Sequence, residues 1–101
     1  MTSRPLMTPD KNTRTLVLIC RRDFCRMVDH VLLNEGLEDF QHGDLRLVGR
    51  TDLEARVGAG ATEAFVIKTD AESAERLKNL LGACPVRGES QEGFELYTVS
   101  Q

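Results

Sequence analysis

Apolar positions along this chain fall in short runs whose spacing alternates between that of strands and that of helices. Leu16-Val17-Leu18-Ile19-Cys20 is a continuous apolar run rich in β formers and predicts a buried strand. Phe24, Met27, Val28, Val31 and Leu32 then recur at helical spacing. With Asp23 as N-cap and Gly36 as a left-handed stop, they predict a helix over 23–35. Leu45 and Leu47 alternate with Arg46 and Val48, which predicts a strand over 44–50. Residues 51–61 contain Gly58 and Gly60 and read as a loop. A third strand covers 62–68, with Phe65 and Ile67 on one face and Ala64 and Val66 on the other. Asp70 opens a second helix whose stripe is Ala74, Leu77, Leu80 and Leu81, supported by an i, i+4 pair of Glu72 with Arg76 and closed by Gly82. Residues 83–93 read as a loop, and 94–99 as the last strand.

The order β-α-β-β-α-β is the split arrangement of ferredoxin-like folds. Right-handed crossovers then place both helices on one face of a four-stranded antiparallel sheet, an α+β fold. Residues 1–13 form a polar N-terminal tail and 14–101 the domain. Two helices cover one face only, yet the first, third and last strands are apolar on both sides. A second apolar face of that size predicts packing against further subunits; the alternative is a segment of the chain folded back over it.

Composition narrows the function classes. At 101 residues, 41% apolar and 29% charged, the chain matches one folded domain. The polar start and the lack of any long apolar run predict a cytoplasmic protein without membrane insertion. A net charge of -3 and five aromatics (Phe 4, Tyr 1) argue against a nucleic-acid binder. No nucleophile stands in a recognisable base-containing motif, so no catalytic residue is assigned and an enzyme is not expected.

Three cysteines, Cys20, Cys25 and Cys84, include no C-x-x-C pair. They read as small buried hydrophobes, or as a soft-metal site of Cys20, Cys25 and a histidine. His42 could likewise pair with Asp44 or Cys84 around a metal. No residue is assigned to a metal on spacing alone. Arg21 and Arg22 precede a helix, where they could hold a small anion or simply face solvent.

Three segments carry a resemblance to a family. Thr15 to Cys20, followed by a helix ending Leu33-Asn34-Glu35-Gly36-Leu37-Glu38-Asp39-Phe40, is similar to the opening of the PII-like signalling proteins. Val57-Gly58-Ala59-Gly60 before Ala64-Phe65-Val66-Ile67 resembles their glycine loop, and Pro85-Val86-Arg87-Gly88-Glu89 their basic turn. The resemblance implies a homotrimer that binds a small ligand, an adenine nucleotide or small anion, in clefts between subunits. It also implies that the protein modulates a transporter or metabolic enzyme. The implied ligand residues are Arg56, Gly58, Gly60, Arg87 and Gly88, with no resident cofactor beyond a regulatory adenine nucleotide. The family's lysine after the second glycine is Ala61 here, Glu63 adds a carboxylate nearby, and the long effector loop is much reduced. CutA-like and efflux-associated proteins neighbour this family, which makes a metal-responsive binding protein the alternative.

Overall fold

The apolar run that opens the chain lies at the centre of the sheet. In the computed structural model, which describes residues 13–86 and 95–99, it extends over Thr13–Cys20 (β1), and Leu16 to Cys20 are all buried. Of the expected tail at 1–13, Thr13 opens β1 and residues 1–12 lie outside the described residues, as do the turn residues Arg87 and Gly88. After β1 the chain makes a 3₁₀ turn at Arg22–Phe24 and enters α1, Cys25–Asn34. Asp23 sits inside that turn beside Arg21 (3.8 Å) and does not cap the helix, contrary to expectation. Gly36, at φ 73°, ends the helix as expected. Its amide bonds to the Leu33 carbonyl and that of Leu37 to the Leu32 carbonyl, so orphan carbonyls of the last turn are satisfied.

The second strand differs most from expectation. β2 is Phe40–Asp44, ahead of the predicted 44–50. Leu45–Val48 is instead a 3₁₀ turn, opened by the Asp44 side chain accepting from the Arg46 amide (2.9 Å) and closed by Gly49 at φ 69°. The three-residue period of that turn puts Leu45 and Val48 on one side and leaves Leu47 exposed, which a strand would not do. A short helix, Leu53–Val57 (α2), lies inside the stretch read as a loop. β3, Glu63–Asp70, and α3, Ala71–Leu81, follow their predictions closely. Asp70 caps α3 by accepting from the Ser73 amide (3.1 Å), and Gly82 stops it at φ 63°. Arg76 turns to Glu35 across the helix pair (3.2 Å) in place of the expected Glu72.

The sheet is five-stranded and mixed, in the order β2-β3-β1-β5-β4. The expected four antiparallel strands are corrected at one edge. β4, Cys84–Pro85, pairs antiparallel with β5, Glu95–Val99, and β5 runs parallel to β1. β4 escaped the sequence pattern because it has two residues, one of them a proline that only an edge strand tolerates. α1 and α3 pack Val28, Leu32, Leu77 and Leu81 against Leu16, Leu18, Phe65 and Ile67 on one face. The other face is covered from within the chain. Leu45, Leu53 and Ala61 are buried against Val17, Ile19, Ala64, Val86 and Leu96, with Val48 and Val57 at the margin. The apolarity of both strand faces is thereby satisfied without a second subunit.

Candidate metal centre

Strand register brings together side chains that lie far apart in the sequence. Cys20 at the end of β1 stands opposite Glu63 at the start of β3, and His42 of β2 stands opposite Phe65 of β3. Alternation along β3 puts Glu63 and Phe65 on one face, the face that carries the helices. The 3₁₀ turn after Cys20 then sets Cys25, the first residue of α1, over that corner.

Cys25, His42 and Glu63 form a cluster whose ligand atoms all lie within 4.8 Å of one another. His42 Nε2 is 3.5 Å from Cys25 Sγ and 3.0 Å from Glu63 Oε1. Tetrahedral zinc with ordinary bond lengths separates a sulfur and a nitrogen ligand by about 3.6 Å, and a nitrogen and an oxygen ligand by about 3.3 Å. The observed spacings are close to those edges. The His42 ring lies flat on Phe65, with centroids 4.2 Å apart and planes 3° from parallel, which fixes where Nε2 points. The second oxygen of Glu63 accepts from the Thr62 hydroxyl (3.3 Å) and faces Arg22 (3.8 Å). Glu63 is largely shielded, whereas His42 reaches solvent. An open concavity outside the cluster is lined by Arg22, Cys25, Arg26, Asp29 and His42.

Both thiols are held in their protonated form. Burial, and then the Glu63 charge, push the Cys25 thiol above its ordinary value. Burial, and then the neighbouring Cys25, push Cys20 up to about 12. A protonated thiol is a poor nucleophile, but it is an adequate metal ligand once the metal displaces its proton. One imidazole nitrogen, Nε2, faces both Cys25 and Glu63. A thiol–imidazole–carboxylate relay would need the carboxylate on the opposite ring nitrogen. The arrangement therefore suits coordination better than nucleophilic catalysis.

The residues assigned by resemblance lie elsewhere. Arg56 is on the exposed side of α2, and Gly58 and Gly60 form the turn that leads to Ala61. Both glycines have positive φ, 148° and 91°, so the turn itself demands glycine. The Gly58 amide donates to the Glu54 carbonyl (2.9 Å) and the Gly60 amide to the Glu54 carboxylate (3.1 Å). The amides of Ala61 and Thr62 donate to Gly58 and Gly60 carbonyls. These four amides are engaged within the segment and do not form an open anion cradle. A cleft of about 510 Å³ does separate this turn from Arg21 and Phe24, with Thr98 and Val99 of β5 at its base.

Of the cluster, Cys25 and His42 stood out in the sequence, while Glu63 was noted only as a carboxylate near the glycine turn. The signal for Glu63 was its phase: it occupies the same strand face as Phe65 and Ile67, where a carboxylate needs a partner. Asp44 and Cys84 do not join His42. Asp44 pairs with Arg46 (2.9 Å), and exposed Cys84 lies on β4, at the edge of the sheet opposite β2. Among the described residues, no helix is long and apolar enough to cross a membrane. Comparisons with protein-family models, with curated proteins and with solved structures find no match.

Proposed function

We propose that this chain is a metal-responsive protein that binds a borderline transition ion of the zinc type at Cys25, His42 and Glu63. The observation that supports this best is the mutual spacing of one sulfur, one nitrogen and one oxygen at a single helix–sheet corner. Sulfur and imidazole ligands favour late d-block ions over magnesium or calcium. Solvent access at His42 suits an ion that is exchanged with partners rather than locked in as a structural element. Protein stripped with chelator, loaded with Zn²⁺ and desalted is expected to retain stoichiometric metal. His42→Ala and Cys25→Ala are expected to lose it. Failure of the wild-type chain to retain zinc overturns the reading.

A second reading keeps the PII-like resemblance: a regulatory adenine nucleotide or small anion, bound by a homotrimer that modulates a transporter or metabolic enzyme. The observation in its favour is the cleft beside Arg21, whose volume falls in the range of small-molecule sites. Thermal shifts with ATP, ADP, AMP and phosphate, lost in Arg21→Ala or Arg87→Ala, would support it. Unchanged melting across those ligands removes it. The trimer rests on the resemblance alone, since both sheet faces are covered within one chain.

A further inference from the structure

A tetrahedral ion bound by Cys25, His42 and Glu63 has one position left to fill. Among the described residues no further His, Cys, Asp or Glu joins the group, and Cys20 is not part of it. Glu63 approaches from the shielded side, with 13% of its side chain exposed, whereas Cys25 and His42 form part of the wall of an open concavity. The fourth position is reached from that concavity.

We propose that the concavity binds inorganic phosphate, one oxygen completing the coordination of the ion while Arg22 and Arg26 hold two others. The proposal deepens the metal reading above and rests on it. Three observations carry it. The rest of the wall is Arg22, Arg26 and Asp29, two cations against one carboxylate. Arg22 Nε lies 3.8 Å from Glu63 Oε2, which sets its guanidinium at the edge of the cluster. Its side chain is 86% exposed, so this loose pair leaves most of its donors open. Among the described residues, Arg26 has no carboxylate partner.

The second observation is charge. A divalent ion held by one thiolate and one carboxylate is neutral as a unit. The two arginines then outweigh Asp29, and the loaded site carries an excess of positive charge that an anion satisfies. The third is the donor set. An ion and two guanidinium groups match an oxyanion with at least three oxygens better than a carboxylate with two. Among the described residues no Leu, Val, Ile, Met or Phe lines the concavity, so an organic body finds nothing apolar to pack on. A compact inorganic anion fits that wall. Without the ion, an approaching phosphate meets the Glu63 carboxylate instead. Phosphate and metal therefore bind as a pair, each tightening the other by the same factor. The chain then responds to metal and phosphate together.

Cobalt is the probe, because Co²⁺ takes the place of zinc in tetrahedral sites and its visible absorption changes when one of its ligands is exchanged. Inorganic phosphate titrated into the cobalt-loaded wild-type chain is expected to change that absorption saturably. Acetate is expected to require a concentration about tenfold higher or more. Arg26→Ala and Arg22→Ala are each expected to keep cobalt and to lose about tenfold or more in phosphate affinity. The metal-free chain is expected to give no heat with phosphate in isothermal titration. Retained cobalt with an absorption unmoved by phosphate up to about 10 mM overturns the proposal and leaves the three-residue site standing. So does wild-type phosphate affinity in both arginine variants, acetate binding as tight as that of phosphate, or equal phosphate affinity without metal. Cobalt stripped by phosphate overturns it as well, since the two are expected to hold each other in place. No retained cobalt removes the underlying reading, and the phosphate site with it.

Discussion

The two faces of the sheet are covered by different means. On one, α1 and α3 lay regular stripes against Leu16, Leu18, Phe65 and Ile67. On the other, a 3₁₀ turn, a short helix and a glycine turn between residues 45 and 61 bring Leu45, Leu53 and Ala61 onto Val17 and Ile19. The contrast teaches that a two-sided apolar strand calls for a cover, without saying whether another subunit or an irregular segment supplies it. It also separates two kinds of stability. Helix caps and repeats support the first face, whereas a few buried side chains carry the second.

Leucine truncation tests whether both covers bear weight. Leu77 of α3 and Leu53 of α2 are each 0% exposed. Replacing either with Ala is expected to cost about 2–5 kcal/mol in urea unfolding. A Leu53→Ala loss below about 1 kcal/mol would mean that the 45–61 segment only drapes over the sheet. Leu53→Asp should go further, prising that segment away and exposing Val17, Ile19 and Leu96. Self-association in light scattering is the expected readout, because an uncovered apolar face of this kind seeks another surface. A fully folded chain that associates no more than wild type would show that the cover is dispensable.

The same contrast explains what could be read in advance. The helix face was legible because its signals are local. Asp70, Gly36 and Gly82 mark helix ends, and Leu77 and Leu81 keep helical phase. β2 was not, since Phe40-Gln41-His42-Gly43-Asp44 has one apolar residue and no visible alternation, while Leu45 and Leu47 next to it imitate a strand. That displacement also concealed the Cys25–His42–Glu63 cluster. With the strand placed at 44–50, His42 falls in a loop. With β2 at 40–44, it stands beside Phe65, one step from Glu63 and beneath Cys25. Register is a long-range property, so residue types could be named in advance but their meeting could not.

Smaller effects distinguish the caps of the two covers. Asp70→Ala removes the acceptor of the Ser73 amide at the start of α3 and is expected to cost about 1 kcal/mol. Gly49→Ala forces a side chain into the left-handed conformation that ends the 3₁₀ turn, at a cost of about 1–2 kcal/mol. Space is no obstacle at Gly49, where an added Cβ meets nothing within 4 Å. A loss there therefore isolates backbone strain. Thermal melts of the two variants side by side would show whether the irregular cover depends on its glycine as α3 depends on its cap. A neutral Gly49→Ala would show that it does not.

The smallest expected effect is electrostatic and belongs to the helix face. Lys78 of α3 is buried, yet it reaches Glu75 and Glu95 (both 2.7 Å) and lies over the Tyr97 ring at 4.5 Å. Glu95 also meets Arg14 (3.1 Å), so this one carboxylate ties α3 and β1 to β5. The Lys78 hydrogen bond, and behind it the Lys78 and Arg14 charges, hold the Glu95 carboxyl below its ordinary value of 4.5 despite partial burial. A depressed carboxyl binds its proton less readily in the folded state. Its contribution is therefore complete above pH 4.5 and declines as pH falls through the lower folded value. Glu95→Gln is expected to cost on the order of 1 kcal/mol at neutral pH, and the gap from wild type should close progressively as pH drops below 4.5. Lys78 works in the opposite sense. Burial alone would lower its pKa, but the hydrogen bonds that Lys78 donates to Glu75 and Glu95 outweigh burial and raise it. Its contribution therefore persists through neutral pH and is lost only as pH rises above the ordinary lysine value of 10.5. A Glu95→Gln deficit that stays constant from pH 7 to about pH 3 would show that Glu95 braces β5 by packing and not by charge.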